Sequence, residues 1–486
     1  YKGIDWAAEN GFGLIITLDC GIKANEKVEY AREKGIDMII LDKATIVTSE
    51  KEAVGTVIIE NGLISDVLWS DREDYDFRRH MLTQKNPDAE VWNLEGKHLM
   101  AGGIDAHVHF REPGLTHKAD MVTESKAAVA GGVTTVFDMP NTRPATITPE
   151  ALKGKMELAE GRALTKTAFH IGATNDNTDM ICTLVREGDP ANGIKAEDIP
   201  GVKVFMGSST GNMLVDHGAS LDRLFAIKEK PVLVHCEDED TIKANLAAAV
   251  ERYGDDIPFT EHEHIRSRRA CIKSSIKALE MAIKHGTKLV LCHISTKEEI
   301  EMARAAKTNN PSITAETSCN YLWFSNEDYR MGSLVKCNPA VKTPGDREAL
   351  RNALAEGLID TIGSDHAPHL LSEKEGSYKD APSGLPSIQQ SLPVLLTIAY
   401  QEEIPLGRIA SAFSEKAAEL YGLNRGKVEK GYEADLVIFD YDKEFTVKAE
   451  DQYSKCGWTP YEGVTLRGVI ETVFIDGDVV LKDGRI

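Results

Sequence analysis

The sequence is short of basic residues, short of cysteine and without a long apolar run, and each shortage excludes a class of protein. Lysine and arginine number 56 against 77 aspartates and glutamates, which gives a formal net charge of −21 at pH 7. A protein that binds nucleic acid or an anionic membrane surface needs a basic face, so neither partner is expected. No apolar run reaches the roughly 20 residues of a membrane-spanning helix. The composition favours a protein that acts on small molecules.

The eight cysteines follow no paired or framework spacing. Scattered cysteines are typical of reduced thiols, so we predict a cytoplasmic protein. Cys236 directly follows His235, and Cys292 directly precedes His293. Because neighbouring residues on a strand point to opposite sides, we expect both thiols to lie in the core, facing away from these histidines.

Between residues 100 and 429 the chain alternates short apolar runs with amphipathic helical patterns. Eight such alternations predict a (β/α)8 TIM-like barrel. The runs are apolar on both faces, as strands of a parallel sheet covered by helices should be. They read "LMAGGIDAHVHF", "GVTTVFDMP", "AFHIGAT", "GVKVFMG", "PVLVHCE", "KLVLCHIS", "SITAETS" and "DTIGSDHAP".

The segments that flank the barrel have a different pattern. Residues 43–99 and 430–486 contain short strand patterns separated by the turn dipeptides Asn61-Gly62, Asp476-Gly477 and Asp483-Gly484. We expect the two flanks to join into one small composite β domain of the sandwich type beside the barrel.

Polar residues stand at the ends of most of the predicted barrel strands. The carboxyl ends of parallel barrel strands share one rim, so these side chains should meet there. Imidazole and carboxylate ligands together suit zinc. The set predicts a metal centre and comprises His107, His109, Asn141, Lys203, His235, His293 and Asp365.

The first two histidines, His107 and His109, lie two apart on a strand and can hold one ion from the same side. A second His-x-His pair, His262 and His264, stands in the charged segment "TEHEHIRS", which lacks strand character. We expect this second pair to lie on the solvated surface without a metal.

Lys203 does not fit a simple metal site, because a protonated lysine beside divalent cations is unfavourable. Two alternatives stay open at this point. Lys203 points away from the metals and pairs with an acid, or its amine reacts with CO2 to give a carbamate that can bridge two metals.

The motifs around these residues are highly specific as a set and in this order. They are "IDAHVHFREPG", "DMPNT", "GVKVFMGSSTGNM", "VHCE", "CHIST", "CNPAVK" and "GSDHAPH". With them the chain resembles the dihydroorotases of the amidohydrolase superfamily, over about residues 43–486. Dihydroorotases are zinc-dependent cyclic amidases of pyrimidine biosynthesis that interconvert dihydroorotate and N-carbamoyl-L-aspartate.

The resemblance implies a role for each matching residue. His107 and His109 would hold one zinc ion, His235 and His293 a second, and a carboxylated Lys203 would bridge the two. Asp365 would be a further ligand and the general base and acid. The residues implied in binding the substrate's carboxylate and neighbouring groups are Arg111, Asn141, Asn338 and His369. The loop at 381–389 would close the pocket.

Other cyclic amidases are the main alternative. Hydantoinases, dihydropyrimidinases and allantoinases share the barrel and the metals but act on rings without the carboxylate. Their motif after His-x-His generally lacks an arginine such as Arg111, which favours a dihydroorotase. A non-catalytic scaffold on the same fold would usually lose metal ligands, and here the set looks complete. A homodimer is compatible with the sequence.

Residues 1–42 resemble a fragment of the RecJ-type DHH phosphoesterases. Their "DCG" motif places Asp19 where that family has a metal-binding aspartate. The two histidines that should follow Asp42 are missing, and about 40 residues are too few to bury a core of their own. We expect a non-functional remnant, with the composite β domain beginning at residue 43.

Overall fold

A computed structural model describes residues 38–86, 89–207 and 213–486, and it contains both antiparallel and parallel sheets. The strands are β1 Met38–Val47, β2 Glu52–Glu60, β3 Leu63–Trp69, β4 Glu90–Asn93, β5 His98–Ala101, β6 Gly103–Val108, β7 Val133–Asp138, β8 Lys166–Phe169, β9 Ile171–Gly172, β10 Val202–Phe205, β11 Val232–His235, β12 Leu289–Leu291, β13 Ile313–Thr317, β14 Thr361–Ile362, β15 Leu436–Thr446, β16 Thr465–Ile475 and β17 Asp478–Lys482.

Helices connect most of the parallel strands and cover the sheets. The α-helices are Tyr75–Lys85, Met121–Ala130, Pro149–Ala159, Thr178–Glu187, Gly218–Phe225, Glu239–Tyr253, His262–Ile265, Arg268–His285, Lys297–Lys307, Cys319–Trp323, Pro344–Glu356, Leu371–Lys374, Ser391–Gln401, Leu406–Ala410 and Lys416–Tyr421. Shorter 3-10 turns lie at Ala196–Asp198, Phe259–Glu261, Asn326–Val335, Ile388–Gln390 and Ala449–Asp451, and one π-helical turn lies at Ser411–Glu415.

The strands of the two flanks pair in a single sheet. Its order is β17-β16-β15-β5-β1-β2-β3, with β4 paired to β1. The junction between the flanks is the antiparallel pair β5–β15, in which Leu436 lies opposite Ala101. One face buries a core that includes Leu41, Ile46 and Phe474. The described strands of the flanks form one sheet, so the predicted two-layer sandwich is not confirmed.

Strand β1 crosses the boundary that the sequence predicts between residues 42 and 43. It runs without a break from Met38 to Val47, with a bulge between Leu41 and Ala44. Asp42 is buried there and accepts hydrogen bonds from Thr56 Oγ1 at 2.8 Å and Arg79 Nε at 2.7 Å. Placing the start of the β domain at residue 43 is therefore wrong, because residues 38–42 belong to its sheet. Asp19 lies outside the described residues.

The parallel strands form two sheets that share one segment of chain. One has the order β14-β13-β12-β11-β10-β9 and the other β6-β7-β8. Only His170 separates β8 from β9, so the continuous segment 166–172 contributes one strand to each sheet. A parallel bridge between Val108 and His366 joins the first strand to the segment after the last. The parallel α/β architecture is confirmed, and closure into one barrel stays a prediction.

Local sequence signals set the helix ends and so the direction of each strand. Asp120 and Thr148 cap the helices that follow β6 and β7, each accepting a hydrogen bond from a first-turn N–H. Gly286 and Gly357 end later helices in the left-handed conformation that glycine adopts readily. The strands between these helices run parallel, so their carboxyl ends gather polar side chains at one edge.

Among the described residues, none of the helices is both long enough and apolar enough to cross a membrane.

The buried contacts of Asp42 generate a prediction. Replacing Asp42 with alanine leaves Thr56 and Arg79 without their acceptor, so the free energy of unfolding should fall by about 1–3 kcal/mol. Urea unfolding followed by circular dichroism measures the change. The matched control is Asp71→Ala, which breaks the more exposed Lys51–Asp71 pair and should change stability by less than about 1 kcal/mol. Equal losses in the two variants would show that Asp42 does not anchor β1.

Candidate metal centre

Four histidines and Asp365 meet at the carboxyl ends of the parallel strands. His235 Nδ1 lies 2.9 Å from His293 Nε2, and His109 Nε2 lies 3.0 Å from Asp365 Oδ1. His107 Nε2 is 3.5 Å from the same carboxylate oxygen, and its ring centre is 5.2 Å from that of His293. All four imidazoles are buried. The group His107, His109 and Asp365 has ligand atoms close enough to hold one metal ion.

Burial prepares these imidazoles to act as ligands. Desolvation lowers the pKa of His107, His109, His235 and His293, with further lowering of the His107 pKa by Lys203. All four rings are therefore neutral at pH 7, the form that binds a metal. Burial raises the pKa of Asp365, but the hydrogen bond from His109 and the neighbouring imidazoles outweigh it, so that the pKa falls below its usual range. Asp365 is a carboxylate.

Three of the site residues have left-handed backbone conformations, which set the direction of their side chains. The φ angle is +66° at Arg111, +39° at His293 and +49° at Asp365, a region that non-glycine residues rarely adopt. Such strain is tolerated where the surrounding structure holds it, and it is concentrated at functional sites. At His293 it interrupts the alternation of the strand, so Cys292 does not face away from the centre as expected.

Cys292 instead contacts Lys203. The Lys203 Nζ donates to Cys292 Sγ at 3.4 Å. The expectation that both thiols turn away from the histidines is therefore wrong for Cys292. Cys236 does pack in the main hydrophobic core, and burial raises its pKa to about 12.

Lys203 is fully buried and has no acidic partner within ion-pair distance among the residues that the structure describes. Besides its contact with Cys292, its Nζ lies 5.2 Å from the centre of the Phe205 ring. The alternative in which Lys203 pairs with an acid is not found in this part of the chain. A buried ammonium without a close ion-pair partner is costly.

The sequence reasoning missed two carboxylates that hold the histidines. Glu316 Oε1 lies 2.7 Å from His107 Nδ1, and Glu237 Oε2 lies 3.0 Å from His235 Nε2. Each orients its imidazole through the nitrogen that faces away from the centre, as carboxylates behind metal-binding histidines do. Glu237 is held in turn by Arg266. The available signal was the strand period, because Glu237 lies two residues after His235.

Glu316 also takes part in a second group. With His107 and Cys292 it offers ligand atoms close enough together to hold a cation. Burial raises the pKa of Glu316 to about 7. Asn141 completes the support of the histidines, because its Oδ1 accepts a hydrogen bond from His109 Nδ1 at 2.8 Å. Asn141 thus orients a predicted ligand, while its predicted role in binding substrate stays a prediction.

Two of the predicted substrate-binding residues meet beside the centre. Arg111 Nη2 lies 3.0 Å from His369 Nε2, and Arg111 Nε donates to Pro368 O at 3.0 Å. Both side chains are buried. Asn338 is joined to neither by a hydrogen bond, and its Oδ1 is buried without a partner among the described residues.

A buried network supports the segment that carries Asp365. His366 Nδ1 accepts the N–H of Ser387 at 3.0 Å, so its Nε2–H donates to Glu124 Oε2 at 2.7 Å. The same Glu124 oxygen accepts a hydrogen bond from Ser454 Oγ at 2.6 Å. The second flank of the chain therefore braces the segment that carries Asp365 through Glu124.

His262 is not a solvated surface residue, so that expectation is wrong. It is 1% exposed and lies in the short helix His262–Ile265. Its Nδ1 accepts from the Tyr378 hydroxyl at 2.8 Å, and its Nε2–H donates to Cys337 O at 2.8 Å. The charged neighbours were a poor guide to His262, because a single helical turn buries one side chain and exposes another. His264 is exposed, as expected.

The contact between Glu237 and His235 leads to a prediction. Glu237→Gln keeps the shape but removes the charge that orients the imidazole, so zinc affinity should fall by about 10- to 100-fold. Competition against a chromophoric chelator measures the affinity without any assay of turnover. Glu251→Gln, an exposed glutamate on the helix Glu239–Tyr253, is the control. Unchanged zinc affinity in Glu237→Gln would contradict the role given to this carboxylate.

Comparison with known proteins places this geometry in a family. The amidohydrolase family model matches residues 98–480. A dihydroorotase of Methanosarcina mazei is 34% identical over 450 residues, covering 88% of this chain and 92% of that protein. An allantoinase of Desulfitobacterium hafniense is 30% identical over 411 residues, with coverages of 82% and 88%.

A solved structure shares the fold of this chain. The L-hydantoinase of Arthrobacter aurescens superposes with a TM-score of 0.82 at 26% identity, covering 92% of this chain and 97% of that one. These relatives carry three different names, so the comparisons establish the family more firmly than the substrate. The chain belongs to the amidohydrolase family of enzymes.

Proposed function

We propose that this protein is a dihydroorotase, which reversibly hydrolyses dihydroorotate to N-carbamoyl-L-aspartate in pyrimidine biosynthesis. The observation that carries the proposal is the buried guanidinium of Arg111. Burial lowers its pKa to about 10, so it stays charged at neutral pH. Among the described residues no carboxylate forms an ion pair with it. A buried charge without a partner is unfavourable, so the geometry favours a substrate that brings its own carboxylate.

The relatives support this choice without deciding it. Several are named dihydroorotase, at 28–34% identity over most of the chain. The allantoinase and the hydantoinases are the competing names. Their rings lack the carboxylate that would pair with Arg111, so the charge at this position argues for dihydroorotate.

The residues present fit a pair of zinc ions. His107 and His109 would hold one and His235 and His293 the other, because their imidazoles are neutral and converge. Lys203 would bridge them after its amine adds to CO2 and loses a proton, which turns the ammonium into a carbamate. When bound, the ions supply Lewis acidity, which polarises a carbonyl group and increases the acidity of water near neutral pH.

The chain's own residues then position the substrate and move the proton. Arg111 and His369 hold the ring carboxylate, which sets the adjacent ring amide over the histidines. The carboxylate of Asp365 accepts a proton from the attacking water and returns it to the leaving ring nitrogen. The 381–389 loop would cover the pocket from one side. It is tied to the segment after Asp365, because Ala367 donates its N–H to Leu385 O at 2.9 Å. Reversal of these steps closes the ring with loss of water.

Substitution of Arg111 tests the substrate assignment. Arg111→Ala should lower kcat/KM for dihydroorotate by roughly 30-fold to several thousand-fold, since truncating one partner of a buried charge pair costs about 2–5 kcal/mol. Arg111→Lys should rescue poorly, because a point charge cannot replace the two-pronged guanidinium. Steady-state kinetics gives the ratio, and elemental analysis should find the same metal content in all three proteins.

The substrate preference of the parent enzyme tests the same assignment. Hydantoin, dihydrouracil and allantoin should be poor substrates for the zinc-loaded protein. A preference for any of them would contradict the assignment. An Arg111→Ala variant with the same kcat/KM for dihydroorotate as the parent would contradict it too. No turnover of any cyclic amide would point to a scaffold.

Lys203 tests the two-metal arrangement. The parent should contain about two zinc ions per chain, and Lys203→Ala should lose metal and activity together. A short carboxylic acid such as propionate should partly restore both, because it supplies the missing bridging carboxylate. Elemental analysis with and without the acid is the measurement. Retention of two ions and full rate in Lys203→Ala would show that the lysine is structural only.

A further inference from the structure

We infer that Lys118 is a positioning residue that fixes the tautomer of His369 and thereby keeps the Arg111–His369 pair open for a carboxylate. The inference rests on the proposed function and deepens it. It adds a residue that neither the motifs nor the relatives' names point to. The observation behind it is that the imidazole of His369 lies between two cationic side chains.

Lys118 determines which nitrogen of His369 carries the hydrogen. Its Nζ lies 3.0 Å from His369 Nδ1. An ammonium group can only donate, so Nδ1 must offer its lone pair. Burial, Arg111 and Lys118 all lower the pKa of His369, so the ring is neutral. Its single hydrogen must then be on Nε2.

The hydrogen on Nε2 creates a pair of donors that face each other. Arg111 Nη2 is only 3.0 Å from His369 Nε2, and a guanidinium nitrogen cannot accept. Ser383 O, at 3.1 Å, accepts from Nε2. Two N–H groups 3.0 Å apart repel each other unless an acceptor joins both. A carboxylate oxygen that accepts from Arg111 Nη2, and shares the Nε2–H of His369 with Ser383 O, relieves the conflict.

The other tautomer would close the site. With the hydrogen on Nδ1, Nε2 would accept from Arg111, and the pair would satisfy itself without substrate. A carboxylate would then have to break that hydrogen bond before it could bind. Lys118 excludes this arrangement because its ammonium cannot lie 3.0 Å from an N–H.

The alternative is that Lys118 serves only as the partner of Glu373. Glu373 Oε1 does lie 2.9 Å from Lys118 Nζ. Its other oxygen accepts the N–H of Leu370 and is 3.8 Å from His369 Nδ1, too far to set the tautomer itself. The two roles predict different results when Glu373 is changed.

The first measurement is made on the parent and needs no substrate. Long-range proton–nitrogen NMR of the zinc-loaded protein with labelled histidine reports which ring nitrogen of His369 carries hydrogen. The signal is assigned by its loss in His369→Gln. The parent should show hydrogen on Nε2, and Lys118→Met should shift it to Nδ1. Hydrogen on Nδ1 in the parent would overturn the inference, however the variants fold.

The second measurement separates binding from chemistry. Lys118→Met should raise KM for dihydroorotate by about 10- to 100-fold, because a charge-assisted contact to the carboxylate is weakened, while kcat changes much less. Lys118→Arg should restore KM, since arginine is also only a donor. An unchanged KM in Lys118→Met, or an equal loss in Lys118→Arg, counts against the inference.

Two further variants complete the design. Glu373→Gln still offers Lys118 an oxygen, so the tautomer of His369 should not change; if this variant reproduces Lys118→Met, the lysine is only an ion-pair partner. Lys455→Met removes a nearby cation that binds Thr116 O and Asp120 instead, and it should match the parent. If the parent does not turn over dihydroorotate, the proposed function fails, whereas the NMR result still decides the role of Lys118.

Discussion

The centre depends on keeping its imidazoles uncharged while carboxylates surround them. Burial supplies the first condition, since it disfavours the imidazolium form at every one of the four positions. Glu316 and Glu237 supply the second, each taking up the N–H on the far side of a ring. The second nitrogens of His107 and His235 lie toward Asp365 and His293, respectively. The strained backbone at His293 and Asp365 completes the convergence of these groups.

The clustering of these side chains could be predicted because strand geometry is periodic and parallel strands end together. His107, His109, His235, His293 and Asp365 each close an apolar run, and the structure brings all of them together. The supporting residues could not be predicted in the same way. Glu316 and Asn141 reach their histidines across the fold, and Lys118 meets His369 from a loop, so no local spacing records these contacts.

The wrong expectations share a physical reason. Alternation along a strand placed Cys292 away from the centre, but a left-handed residue next to it changes the direction. Charge in "TEHEHIRS" suggested a solvated surface, but one helical turn buries His262 against Tyr378 and Cys337. A change of motif at residue 43 suggested a domain boundary, yet hydrogen bonding carries β1 across it. In each case one residue's backbone or burial departs from the average behaviour of its neighbourhood.

Two hydrogen bonds link Ser454 to His366 through Glu124. They determine how much of the chain must be synthesised before the site can assemble. Glu124 and Ser454 are 330 residues apart in sequence. On the ribosome the four histidines and Asp365 all emerge before Ser454, at a stage when Glu124 still lacks the hydroxyl donor that Ser454 provides. Strand β5 likewise lacks its partner β15 until a similar length of chain has been synthesised. A nascent chain thus holds every predicted ligand before the second flank is available to brace them.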